Sequence, residues 1–73
     1  MKRTALGGFL QDKRNERGLT QMDMAGRTGF AQSKIAAFEV SRIPNARDLA
    51  VLFSALSLTS SERLDAIELA RED

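Results

Sequence analysis

An all-α domain of five helices is the fold class this sequence predicts, and three observations predict it. Apolar residues recur at three- and four-residue spacing, strand-like alternation is missing, and caps and stops cut the chain into short helical segments. With 73 residues, one domain spanning 1–73 is expected, its core near the lower limit for independent folding. The chain has no cysteine, so it must rely on well-packed helices, an oligomer interface or both.

The first helix is expected from about Thr4 to Arg17, with Leu6, Phe9, Leu10 and the stem of Lys13 facing inward. Gly7 and Gly8 each weaken its first turn by roughly 1 kcal/mol relative to alanine, so its start is expected to fray. Gly18 stands where a left-handed cap closes such a helix. The second helix opens at Thr20, whose hydroxyl caps it, with Asp23 in the first turn. Met24 and Ala25 point inward, and Gly29 stops the helix after about two turns. A turn over Gly29, Phe30 and Ala31 then leads into the third helix, anchored by Ile35 and Phe38.

Pro44 separates this helix from the fourth, which is expected to start from an Asn45 cap with Asp48 in its first turn. Leu49, Leu52, Phe53 and Leu56 should supply the thickest part of the core. The fifth starts at the capping box Thr59-Ser60-Ser61-Glu62 and runs to the end. In it Leu64 and Ile67 share one face, and Leu69 points elsewhere.

Charge is unevenly placed. Residues 1–47 carry a net charge of +5 and residues 48–73 a net charge of −4, although the whole chain carries only +1. A basic part beside an acidic part suits a polyanion-binding face and a second face for something else. The chain has no histidine, cysteine or tyrosine, which leaves no visible acid–base or nucleophilic machinery, so no enzyme is expected. No metal or other cofactor is expected either, because the usual ligand sets are missing. No apolar run approaches the ~20 residues of a membrane span, and the opening "MKRTALGGFLQDKR" turns polar too early for a signal peptide.

Helix, short helix, tight turn, short helix and two packing helices is the order of a helix-turn-helix domain, here at about 20–39. The stretch "LTQMDMAGRTGFAQSKIAAFE" resembles the motif of the phage lambda repressor and Cro family, also called the XRE family. The resemblance covers roughly residues 5 to 58 and rests on Arg14, Gln21, Ala25, Gly29, Gln32, Ile35 and Glu39 in register. It implies a five-helix lambda repressor-like fold in which the third helix enters the major groove of double-stranded DNA.

Carried over by position, Gln32, Ser33, Lys34 and Ala37 become the base-reading set. A glutamine can pair with adenine N7 and N6 together, a serine hydroxyl suits several bases, and the Ala37 methyl suits a thymine methyl. Lys34 has two open roles, a guanine edge or a phosphate. Gln21, at a helix N-terminus, is expected to bind a phosphate, and Arg14, Arg42 and Arg47 complete the phosphate set. Arg14 and Glu39 also match an ion pair between the first and third helices.

Two positions depart from the family pattern. Ala31 stands where Ser or Thr usually caps the recognition helix. Ser41 stands where glycine is common, so either a left-handed serine costs about 1–2 kcal/mol or the helix ends another way.

The function expected is a sequence-specific transcriptional regulator, a repressor or autoregulator of the Cro or phage repressor kind, binding a two-fold operator as a homodimer. The dimer is expected through the fifth helix by Leu64, Ile67 and Leu69. An antitoxin with a toxin partner, a restriction–modification controller protein and a helical protein-interaction module are the alternatives. The chain is too short for an added sensing domain, so regulation through concentration or a partner is expected. The location expected is the cytoplasm, in a bacterial or phage-encoded setting.

Overall fold

A computed structural model describes residues 3–73 as five α-helices. Lys2, one of the residues in the basic excess, lies outside the described residues. The helices are α1 (Ala5–Glu16), α2 (Gln21–Thr28), α3 (Gln32–Val40), α4 (Ala46–Ala55) and α5 (Ser60–Glu72). No strand occurs among the described residues.

Local chemistry sets most boundaries. Thr20 and Thr59 each form a full capping box, with Asp23 and Glu62 returning the bond to the cap backbone. Asn45 caps α4 by accepting from the Asp48 amide. Gly18 (φ 67°) and Gly29 (φ 79°) take the left-handed conformation. After α1 the Gly18 amide donates to the Asn15 carbonyl and the Leu19 amide to the Arg14 carbonyl, the paired bonds of a Schellman ending.

The start of α1 is tied down, contrary to the fraying expected from its glycines. The Thr4 hydroxyl accepts from the Gly7 amide, and the Asp73 carboxylate accepts from Ala5 and Leu6 at 2.9 and 3.1 Å. The Thr4 amide in turn donates to the Val40 carbonyl at the end of α3, at 2.8 Å. Every free amide of that first turn therefore has an acceptor. Gly7 is the place where α1 meets α3, since a Cβ built there would lie 2.6 Å from the Glu39 carbonyl oxygen.

The core is built from Leu6, Leu10, Met24, Ile35, Phe38, Leu52, Phe53, Leu56, Leu58 and Ala66. α1 packs on α3 with one side and on α5 with another, and α2 packs on both α3 and α4. α5 turns a face of mostly small residues inward. Ala66 is fully buried and Leu69 and Ala70 pack against the core, while Leu64 and Ile67 remain 64% and 42% exposed. Leu69, expected at the dimer interface, is half-buried and packs against the core. The small Ala66 lets α5 lie close to α1, and Glu62 fixes the contact through ion pairs to Lys13 at 3.2 Å and Arg17 at 2.9 Å.

Candidate nucleic-acid interface

α3 is positioned from behind by a buried polar contact. Arg14 reaches from α1 to Glu39 through Nε and Nη2, at 2.7 and 3.1 Å, a two-pronged ion pair. Its Nη1 donates to the Leu19 carbonyl at 2.8 Å, so the same residue ties down the entry to α2. The bond to Glu39 raises the pKa of the guanidinium, against an opposing effect of burial. Arg14 is 8% exposed and all three of its nitrogens are engaged inside. That overturns its expected phosphate contact: the guanidinium is the inner support of α3.

Gln21 is also part of this support. Its Nε2 donates to Glu39 Oε1 at 3.2 Å, linking the start of α2 to the last turn of α3. One of the two amide hydrogens is thus held inside, and the second is left for a ligand. The backbone amides of Gln21 and Met22 have no protein acceptor among the described residues, so the first turn of α2 keeps open donors.

With Ile35, Phe38 and Glu39 buried, the opposite face of α3 presents Ser33, Ala36, Ala37 and Val40, with Gln32 at its leading end. Gln32 and Ser33 are exposed; Ala36, Ala37 and Val40 are partly so. Val40 was not among the expected reading residues, although its spacing of seven from Ser33 places it on the same face. Ala31 gives α3 no side-chain cap, and the Gln32 and Ser33 amides have no acceptor among the described residues. The outer face of the leading turn is therefore uncharged and rich in free donors.

Lys34 does not join this face. Its ammonium lies 3.2 Å from Asp48 Oδ2 and 4.3 Å from the centre of the Phe30 ring. That geometry turns the half-shielded ammonium toward the buried carboxylate of α4, away from the outer face where a reading role was expected. From sequence, Asp48 has a visible role only in the first turn of α4.

Ser41 ends α3 with φ −132°, so the left-handed serine and its cost do not arise. The Ala37 carbonyl accepts from both Ser41 and Arg42, at 3.0 and 2.9 Å, and closes the helix without a glycine. Beyond it, Arg42 and Arg47 are exposed and have no carboxylate in ion-pair range among the described residues. The Arg42 guanidinium stands 5.4 Å from the Phe38 ring centre, which holds it beside the end of α3.

Lys13, Arg14, Arg17 and Lys34 are all paired with carboxylates, so the basic excess of the first 47 residues is not one broad patch. Two open cations, Arg42 and Arg47, lie in and just beyond the segment joining α3 to α4. Among the described residues, no group of three or more His, Cys, Asp or Glu side chains is placed to hold a metal ion. No helix among them is long and apolar enough to cross a membrane.

Two short helices joined by a glycine turn, the second supported from behind and open in front, define a helix-turn-helix DNA-binding domain. The chain belongs to the helix-turn-helix domain family, whose family model matches residues 5–66. That span contains the lambda repressor-like motif and extends through Ala66 of α5. A comparison with curated proteins found no match.

Proposed function

We propose that this protein is a sequence-specific transcriptional regulator that binds a two-fold operator as a homodimer, with α3 in the major groove. The observation that carries the reading is the outer face of α3: exposed Gln32 and Ser33 followed by small Ala36 and Ala37, on a helix fixed from behind by Arg14 and Glu39. Alanines allow close approach to base edges, and the glutamine and serine supply the donors and acceptors that read them. Gln21 and the open amides of α2 supply one phosphate contact, and Arg42 and Arg47 supply others. The protein acts by binding, without catalysis, wherever the cell keeps its DNA.

Binding to duplex DNA over a salt series tests this directly. Replacing Arg42 or Arg47 should weaken all sequences alike and reduce the log–log salt slope by about 0.9 for each phosphate no longer neutralised. Replacing Gln32 should instead reduce discrimination by about 1–3 kcal/mol at one base pair. A protein that shifts no duplex at low salt would leave a helical protein-interaction module as the better reading.

The dimer rests on Leu64 and Ile67, large apolar residues left exposed on α5. A dimer places two α3 helices about 34–36 Å apart, one turn of DNA. Sedimentation should show a dimer at high protein concentration that Leu64→Asp converts to monomer. Monomers throughout, free and on operator-length DNA, would remove the homodimer, and co-purification with an unlike partner would favour an antitoxin.

A further inference from the structure

We infer that Asp48 is a specificity-determining residue that acts by withholding Lys34 from DNA; the inference rests on the DNA-binding function proposed above. Lys34 follows Ser33 directly in α3, and its four-carbon stem is long enough to bring an ammonium to a phosphate or a guanine edge. Instead the ammonium is drawn back to α4, 3.2 Å from Asp48 Oδ2, between the Phe30 and Phe38 rings at 4.3 and 5.7 Å from their centres.

Asp48 is 9% exposed, and Lys34 is the cation paired with it among the described residues. A carboxylate so far out of water holds its partner more firmly than a surface carboxylate would. The consequence is a reading face (Gln32, Ser33, Ala36, Ala37 and Val40) that carries no charge. A lysine free to swing beside that face would attract any phosphate regardless of sequence, raising affinity for all duplexes and diluting preference. Asp48 never needs to touch DNA to have this effect.

The test compares wild type, Asp48→Asn, Lys34→Gln and the double variant. Each is titrated over a salt series with a duplex selected from a random pool and with its scrambled version. Asp48→Asn should bind the scrambled duplex several-fold more tightly, with a salt slope steeper by about 0.9. The double variant should return the slope to the wild-type value, which separates release of Lys34 from the simple loss of a negative charge. Lys34→Gln alone should leave the slope unchanged. A slope shallower by about 0.9 in that variant would mean that Lys34 already neutralises a phosphate, and would overturn the inference even if Asp48→Asn failed to fold. An unchanged slope in a folded Asp48→Asn overturns it as well. A wild type that binds no duplex at low salt overturns both this inference and the function on which it rests.

Discussion

Gly7 of α1 lies directly against the backbone of Glu39 in α3, so close that a Cβ would stand 2.6 Å from the Glu39 carbonyl oxygen. Gly8 beside it is open, its nearest neighbour being the Arg3 side chain at 3.8 Å. The two glycines therefore predict opposite outcomes. Gly7→Ala should lower stability by about 1–3 kcal/mol through overpacking against a backbone that cannot yield. Gly8→Ala should raise it by roughly 0.5–1 kcal/mol through helix propensity. Urea denaturation midpoints of the two variants check this, and equal shifts would contradict the close approach.

The Arg14–Glu39 pair should be costly to break from one side. Arg14→Met or Glu39→Gln leaves its partner buried without a countercharge, a destabilisation of about 3–5 kcal/mol. A domain this small has only about 5–15 kcal/mol in total, so either variant should melt far below wild type. Arg14→Met with Glu39→Leu should recover much of that stability, because no lone charge remains. Thermal melts of the two single variants and the double check it.

Stability should fall in acid through Glu62. The Thr59 amide of the capping box, then Lys13 and Arg17, hold its carboxyl at about 2, below the ordinary 4.5. A carboxyl depressed in the folded state stabilises fully above its unfolded pKa. That stabilisation is lost as pH falls from 4.5 toward about 2. Asp23 in the other capping box shifts in the same direction, chiefly through the Thr20 amide. Melting temperature against pH should be flatter for Glu62→Gln than for wild type below pH 4.5. Identical curves would show that this cap and its ion pairs do not govern the acid limb.

Ser57 has φ 52°, the one non-glycine residue in the left-handed region among those described. It lets the Leu58 amide reach the Phe53 carbonyl and close α4. Ser57→Gly should stabilise the protein by roughly 1 kcal/mol by relieving that backbone, whereas Ser57→Ala should not. Denaturant titration distinguishes the two.

Much of the architecture was legible because its causes are local. Thr20 with Asp23, Thr59 with Glu62, Asn45 with Asp48, and the glycines at 18 and 29 act within a few residues of themselves. Five helices and their order follow from such pairings and from apolar spacing. The inner face of α5 was less legible, since apolar spacing put Leu64 and Ile67 on one face and Leu69 on another without ranking them. Close packing against α1 instead selected the face carrying Ala66, Leu69 and Ala70.

The candidate site divides along the same line. The sequence by itself determined the helix-turn-helix register, the Arg14 and Glu39 positions, and a small outer face beginning at Gln32 and Ser33. Only the tertiary structure decided which charges that face would keep. It placed Arg14 inside, joined Gln21 to Glu39, and turned Lys34 toward Asp48, leaving Arg42 and Arg47 as open cations in and just beyond the segment after α3. A side chain's residue type fixes what it can bind, but whether it faces solvent or a partner depends on groups brought near it from distant parts of the chain. Asp48 lies fourteen residues beyond Lys34, and the fold brings its carboxylate to within 3.2 Å of the ammonium.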